Sequence, residues 1–255
     1  TEESNAQTVP LPIISRNDWI QDLYVGEQGT LASTYGGIYI ASQGTQSWQQ
    51  LSMPATIPSG GRFVVESPES EWIYYIAPKH LAHYSPESED LNFGIYRMHP
   101  DGADWELVSS EYDFRDVLPH GDNLYAIVEI QEEISAESAD DMIIWTSEEE
   151  TSNGKKTIYY ERVYISEDDG ETWRDISNNI GRGMSLYRIM PDPDNEELIC
   201  LEANSIRTYI LQASDDEYHW EMTRVWDWNE EHLTNESFFG DPSLLWHNEY
   251  MLRAN

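Results

Sequence analysis

The residues best suited to chemistry in this sequence are carboxylates, and residues 192–197 contain four of them in six positions. This stretch, DPDNEE, offers hard oxygen ligands of the kind that Ca²⁺ takes. It lacks the Asp-x-Asp-x-Asp-Gly spacing that wraps one ion, and Asp-Pro-Asp-Asn is a common turn sequence. We therefore expect a turn between two strands here and no resident metal or other cofactor, with calcium binding as the alternative.

Two further groups of residues could bind a ligand. His80 and His83 are interpreted as a surface pair, because no further zinc ligands accompany them. Trp226 and Trp228 alternate with acids in WDWNEEH, so they form either a stacking platform for a sugar or packing between blades. The one cysteine, Cys200, lies in the apolar run ELICLEA and is expected to be a buried, inert thiol.

The charge balance excludes several kinds of partner. The chain has 48 Asp and Glu against 14 Lys and Arg, a formal net charge of −34. Nucleic acids and anionic membranes attract clustered Lys and Arg, so neither is an expected partner. The acid excess predicts either a surface adapted to a salty medium or an acidic face that binds cations or a basic partner. The apolar runs are too short for a membrane span.

The elements that position these residues follow a repeat. Four units end in a tryptophan, and a large apolar or aromatic residue stands nine positions earlier in each. The tryptophans are Trp48, Trp105, Trp173 and Trp220, and the earlier residues are Tyr39, Tyr96, Tyr164 and Leu211. We interpret each unit as a hairpin whose second strand starts at the tryptophan, preceded by two inner strands. The number of residues between successive repeat tryptophans is that of a four-stranded β-propeller blade, and it predicts an all-β fold.

The third unit contains the pattern Ser166-x-Asp168-x-Gly170-x-Thr172-Trp173. It resembles the Asp-box, or BNR, repeat of sialidases, sortilin-type receptors and the photosystem II assembly factor. The resemblance implies a structural turn in which the Asp carboxylate accepts backbone N–H bonds and the Gly supplies a positive φ. It also implies that the tryptophan fills the space between adjacent blades. The other three copies match this pattern only in part.

We expect one β-propeller domain at residues 17–255, after a polar leader at 1–16 that contains a candidate closing strand. The predicted blades span residues 17–55, 60–110, 112–178 and 184–226, with a partial blade at 234–255. This is either a propeller of about five blades or a fragment of a larger one, completed by a second chain. An acidic insertion at residues 131–156 is expected to extend strands two and three of the third blade as a hairpin.

A sialidase-like site would need three arginines on a carboxylate and a Tyr–Glu nucleophile pair. The nearest match to the Arg-Ile-Pro element of sialidases is YRIMP at residues 187–191, in the wrong blade and with an intervening Met. We therefore predict no catalytic residues and a non-catalytic binding or scaffold module for a protein partner. A carbohydrate-binding or glycoside-hydrolase propeller is the alternative. The polar start, TEESNAQTVP, is typical of a processed end, so we expect export to an extracellular or periplasmic location.

Overall fold

A computed structural model describes residues 20–26, 29–42, 47–65, 71–79, 91–135, 146–150, 155–182, 184–192, 195–203, 207–214, 217–225, 244–247 and 250–253. The extended regular structure in these ranges is antiparallel β-sheet. Among the same residues no helix is long and apolar enough to cross a membrane. The predicted leader lies outside the described residues, and so do Trp226, Trp228, His80 and His83.

The described strands form five sheets, numbered in chain order. Sheet 1 contains β1 (Ile20–Gly26), β2 (Gly29–Thr34), β3 (Gly37–Ser42) and β4 (Gln49–Gln50). Sheet 2 contains β5 (Arg62–Val64), β6 (Ile73–Ala77), β7 (Gly94–Met98) and β8 (Glu106–Ser109). Sheet 3 contains β9 (Asp113–His120), β10 (Asn123–Ser135), β11 (Thr146–Glu150), β12 (Lys155–Ser166) and β13 (Arg174–Asp175). Sheet 4 contains β14 (Leu186–Asp192), β15 (Asn195–Ala203), β16 (Arg207–Ser214) and β17 (Glu217–Val225), and sheet 5 is the hairpin of β18 (Leu244–His247) and β19 (Tyr250–Arg253).

Sheets 1, 2 and 4 are four-stranded meanders in which each strand pairs with the next along the chain. Sheet 3 follows the same path through β9, β10, β12 and β13, and β11 pairs with β12 beside it. A repeated four-stranded antiparallel meander is the blade of a β-propeller. The predicted fold class, all-β with propeller blades, is therefore confirmed.

Contacts divide the chain into two compact units, Thr1–Glu111 and Tyr112–Asn255. In each unit, apolar side chains from successive sheets form one buried core. The core of the first unit includes Leu31 and Ile38 from sheet 1 with Ile73, Tyr75 and Met98 from sheet 2. The core of the second unit includes Ile127 and Val163 from sheet 3 with Ile189, Leu201 and Trp220 from sheet 4. Burial of these strand faces favours the stacking of one sheet on the next.

The fourth repeat unit differs in register from the first three. In those three, the tyrosine nine positions before the tryptophan pairs with the residue two positions after it. In the fourth, Leu211 pairs with Trp220 itself, and Ser214 pairs with Glu217 at the start of β17. The prediction that the second strand starts at the tryptophan is wrong for this unit, because β17 begins three residues earlier, at Glu217.

Two local predictions from the sequence are confirmed. Asp192 pairs with Asn195, so the chain reverses direction within the DPDNEE stretch between β14 and β15. The ladder between β10 and β12 runs without interruption to the pair of Ser135 and Lys155, so the insertion does extend strands two and three of sheet 3. We call residues 129–135 of β10 with 155–161 of β12 the hairpin extension.

Two aspartates join successive sheets. Asp22 in β1 accepts a hydrogen bond from the Phe63 N–H in β5, at 2.7 Å. Asp116 in β9 accepts one from the Ile189 N–H in β14, at 2.9 Å. β5 and β14 are each the first strand of a sheet, so these N–H groups point away from the ladder of their own sheet and need another acceptor. We call these two bonds the aspartate clasps.

A side-chain amide makes a second connection between sheets 3 and 4. Asn179, which follows β13, accepts a hydrogen bond from the Trp220 N–H at 2.9 Å and donates one to the Trp220 carbonyl at 2.7 Å. These two bonds imitate a neighbouring strand. The buried Trp220 indole also donates from Nε1 to the Ile176 carbonyl, at 2.9 Å. The fourth repeat tryptophan is therefore bonded to the segment that follows sheet 3.

Replacing a clasp aspartate should destabilise its unit. Asp116 is only 5% exposed, so Asp116→Ala leaves the buried Ile189 N–H without an acceptor and should cost about 2–3 kcal/mol of unfolding free energy. Asp116→Asn keeps an acceptor oxygen and should cost less. Urea unfolding measures the change, and the exposed Asp122→Ala in the β9–β10 turn is the matched control. Equal losses for Asp116→Ala and Asp122→Ala would contradict the clasp.

Candidate functional site

The 166–173 turn between β12 and β13 is closed by hydrogen bonds among its own residues. The Ser166 hydroxyl donates to Asp168 Oδ1 at 2.8 Å and accepts from the Gly170 N–H at 2.8 Å. Asp168 also accepts from the Thr172 N–H at 2.8 Å and from the Thr172 hydroxyl at 2.5 Å. One carboxylate thus satisfies donors at both ends of the turn. These bonds leave the Asp168 side chain bound within the turn and not directed toward a substrate.

Backbone conformation explains the glycine of this turn. Asp169 and Gly170 have φ values of +58° and +91°. Asp tolerates the left-handed region through local hydrogen bonding, whereas the value at Gly170 suits only glycine. In the second repeat unit, Gly102 has a φ of +82°. A Cβ at this position would stand 2.4 Å from the Cδ1 atom of Leu51, which belongs to the first repeat unit. That turn is held by bonds between His99 and residues 102 and 103, without the serine and threonine contacts.

The repeat tryptophans do not share one environment. The Trp173 ring lies 5.1 Å from the Phe114 ring, and the Trp105 ring lies 5.6 Å from the Tyr75 ring, in each case within one sheet. The Trp220 indole instead donates to the segment that follows the preceding sheet. Trp48 is half-buried in sheet 1, just before β4. The interpretation of every tryptophan as a filler between blades therefore remains a prediction.

Three arginines share one arrangement, in which the guanidinium lies over an aromatic ring and binds a glutamate. The combinations are Arg97 with Trp72 and Glu106, Arg174 with Tyr218 and Glu167, and Arg182 with Tyr160 and Glu132. Arg115 and Arg162 bind Glu129 and Asp175 in sheet 3. In a chain with so few basic residues, this arrangement leaves carboxylates as the main charged groups offered to a partner.

One of these combinations contains the residue types of a Tyr–Glu nucleophile pair. The Tyr160 hydroxyl donates to Glu132 Oε2 at 3.0 Å, and Arg182 Nη1 donates to the same oxygen at 3.1 Å. Burial, and next the hydrogen bond to Glu132, raise the pKa of the Tyr160 hydroxyl above its ordinary value. A tyrosine nucleophile must approach the phenolate form as it attacks, so this environment opposes that role. The hydrogen bonds instead brace the hairpin extension.

Two glutamates stand directly opposite each other in the same ladder. Glu129 on β10 pairs with Glu161 on β12, and Arg115 donates a hydrogen bond to Glu129. Burial, and next the charge of Glu129, raise the pKa of Glu161. In sheet 4, burial is the main cause that raises the pKa of Glu202, which pairs with Arg188 across β14 and β15. The surroundings of Glu161 and Glu202 therefore make the ionised carboxylate less favourable than it is in water.

The hairpin extension is the most prominent candidate for a binding surface. Along β10, Gln131 and Glu133 are exposed, while Ile130, Glu132 and Ile134 are half-buried. Glu133 binds Lys155 across the ladder at 3.3 Å, and both side chains are more than half exposed. Such an exposed ion pair contributes little to stability and can exchange partners readily. The extension therefore presents exchangeable polar groups on a regular strand.

Most of the candidate ligand sites from the sequence lie outside the described residues. Among the residues that the structure describes, no group of three or more His, Cys, Asp and Glu side chains is arranged to hold a metal ion. Trp226 and Trp228 lie outside that part of the chain. Cys200 is buried in β15 at 3% exposure.

The sequence pattern missed the clasp residues Asp22 and Asp116. Both stand directly before short apolar runs inside predicted strands, in QDLYVG and RDVLPHG. Asp is disfavoured within strands, so an acid in this position was an available signal of a specific bond. The sequence does not identify the N–H group that each aspartate binds, because this donor lies 41 residues away for Asp22 and 73 residues away for Asp116.

Comparison with protein-family models and with curated proteins finds no match. Among solved structures, the chain is similar to β-propeller proteins. One of them is YCF48 bound to D1 peptide, at 11% identity and a TM-score of 0.36, over 80% of this chain and 67% of that one. Another is YCF48 from Cyanidioschyzon merolae, at 12% identity and a TM-score of 0.44, over 86% of this chain and 60% of that one.

A third similar structure is dipeptidyl peptidase 4 of Porphyromonas gingivalis, at 9% identity and a TM-score of 0.38. The match covers 81% of this chain and 30% of that protein. The chain therefore spans 30% to 67% of the lengths of these three neighbours. At such identities and TM-scores, the likeness assigns no activity, substrate or partner to this chain.

The 166–173 turn should weaken in acid. Hydrogen bonds from the Thr172 hydroxyl and N–H, and then from Ser166, hold the pKa of Asp168 below its ordinary value. A lowered folded-state pKa stabilises the fold above the unfolded pKa, and the benefit is lost as the pH falls through the folded pKa. Asp168→Ala should therefore lower the unfolding midpoint at pH 7 and make progressively less difference below about pH 4. Urea unfolding across pH tests this, with Glu171→Ala in the same turn as control; a pH-independent difference would contradict it.

The opposite pH dependence is expected at Glu161. Its raised pKa means that the folded state favours the protonated carboxyl group. The stability that protonated Glu161 gives the fold is therefore lost as the pH rises through the folded-state pKa. Glu161→Gln should raise the unfolding midpoint at pH 8, and this gain should shrink as the pH falls. Glu133→Gln, at an exposed position of the same hairpin, should show no such trend. A gain for Glu161→Gln that persists unchanged in acid would be inconsistent with this explanation.

Proposed function

We propose that this chain is a non-catalytic, exported binding module, an Asp-box β-propeller that engages a protein partner. The observation that carries the proposal is the hairpin extension, a regular strand pair that reaches past its sheet with exposed polar side chains. The extension buries Ile158 and Tyr160 but leaves Gln131 and Glu133 exposed, and surface segments on a rigid scaffold are common binding elements. A protein or peptide is the partner class that a strand surface suits best.

The proposal treats the 166–173 turn as a structural Asp-box. Ser166, Asp168, Gly170 and Thr172 all take part in bonds within the turn, and Trp173 packs on Phe114. These contacts support a role in closing the β12–β13 connection. Because these residues hold the turn together, we expect the protein partner to bind at other parts of the surface.

Acidity supports the choice of partner. The described arginines of sheet 3 bind carboxylates of the same unit, and the chain carries a formal net charge of −34. A protein partner with a basic surface would be drawn to this field, most strongly at low ionic strength. Export is part of the same proposal and is tested by locating the protein in fractionated cells of its source.

A binding screen distinguishes this function from the carbohydrate alternative. A displayed library of random peptides and a glycan array would be probed with the intact chain. We expect saturable peptide binders that weaken as salt is raised, and no glycan binder. Saturable glycan binding without any peptide binder would overturn the proposal in favour of a carbohydrate-binding propeller.

The Tyr160–Glu132 pair provides a direct test for glycosidase activity. Because the pKa of Tyr160 is raised and Glu132 is bound by Arg182, we expect no turnover of fluorogenic sialosides or other glycosides. Tyr160→Phe removes one hydrogen bond and should reduce stability by about 1 kcal/mol without changing any measured hydrolysis. Hydrolysis by the native chain that Tyr160→Phe abolishes, while the fold is retained, would establish an enzymatic function.

A further inference from the structure

β10 has a stretch of edge in the hairpin extension that no described strand covers. Its pairing with β9 ends at Glu129 opposite Asp113, whereas its pairing with β12 continues to Ser135. Between these limits, residues 130–134 have a strand neighbour on one side, and no strand among the described residues pairs with the other side. We call this stretch the 130–134 edge.

The 130–134 edge is regular and carries no β-bulge, proline or lysine, although Glu132 and Glu133 are charged edge residues. Its ladder with β12 has no register shift, and the irregularity of β10 opposite β9 lies earlier, between Ile127 and Val128. The sequence IQEEI contains neither Pro nor Lys, which often protect edges. Successive N–H and C=O groups along the outer side are therefore spaced to accept a further strand.

Charge selects which strand can be added. Glu132 and Glu133 lie on the edge, and like charges directly opposite each other destabilise strand pairs. A second copy of the same edge is therefore disfavoured. A strand with Lys or Arg on alternate positions would instead meet Glu133, whose present partner Lys155 is exposed and weakly held. Glu132 is less available, because Tyr160 and Arg182 already bind it.

We propose that the 130–134 edge of β10 binds an extended basic peptide as an added antiparallel or parallel strand. Main-chain hydrogen bonds to the edge supply affinity, and alternate Lys or Arg side chains facing Glu133 and Gln131 supply selectivity. The inference rests on the proposed function and makes it specific: the partner contributes a segment of basic alternating sequence in the strand conformation.

The test uses a fluorescent seven-residue peptide, Lys-Val-Lys-Thr-Lys-Val-Lys, with the intact chain. Fluorescence anisotropy should show saturable binding, and amide hydrogen exchange should slow within residues 130–134 when the peptide is bound. A peptide of the same sequence and charge, N-methylated at alternate backbone amides, cannot complete a strand ladder. It should bind at least about tenfold more weakly, the loss expected when the main-chain bonds are removed.

Charge reversal on the protein supplies the second arm. Glu133→Lys should weaken binding of the unmethylated peptide about tenfold, while Glu111→Lys, an equal charge change at an exposed position of the first unit, should have little effect. Urea midpoints of both variants show that each is folded. Equal weakening by the two variants, or equal binding of the methylated peptide, would overturn the proposal in favour of general attraction to a polyanion.

The outcome also separates this inference from the proposed function. If the library screen yields peptide binders that protect other residues, while the Lys-Val peptide neither binds saturably nor slows exchange within residues 130–134, the edge proposal fails and the binding function stands. If neither the library nor the Lys-Val peptide binds, both fail.

Discussion

The structure depends on how the first strand of a sheet satisfies the backbone groups on its outer side. A blade-like meander pairs each strand with its successor, which leaves the first strand with N–H groups facing the preceding sheet. Asp22 and Asp116 accept bonds from two such groups, at Phe63 and Ile189. A carboxylate that accepts an N–H bond combines a strong hydrogen bond with a fixed direction, and Asp116 does so in a buried position whereas Asp22 is half-buried. Each contact joins the first strand of one sheet to the first strand of the next within a compact unit.

Around these clasps, polar side chains in each unit serve mainly to join elements. Asn179 imitates a strand edge against Trp220, and the buried Tyr75 hydroxyl donates to the Pro58 carbonyl and accepts from the Gly61 N–H. Desolvation accordingly raises the pKa of Tyr75 to about 12. Polar groups fixed in this way provide direction that apolar packing alone does not, because the hydrophobic effect has no preferred geometry.

Sheet 3 departs from the other sheets in a way that bears on function. Its second and third strands continue past the end of β9, and the bonds of Tyr160, Glu132 and Arg182 hold the start of that extension. The result is an ordered strand pair with acidic character and an edge that no described strand covers. Order before binding reduces the entropy lost when a partner strand docks, which is the main advantage of a preformed edge over a flexible loop.

The sequence alone determined the kind of strand and sheet this protein makes. Tryptophans nine positions after a tyrosine or leucine, alternating apolar residues and turn-forming Gly and Pro are local signals, and they predicted blades, the DPDNEE turn and the extended hairpin. Tertiary structure alone decided that Leu211 pairs with Trp220, that Asp116 meets Ile189, and that Arg182 reaches Glu132 from 50 residues away. No local period encodes such partners, because Asp116 meets Ile189 where sheet 3 packs on sheet 4, Arg182 reaches back from the segment after sheet 3, and Leu211 takes its partner from the register of β16 and β17.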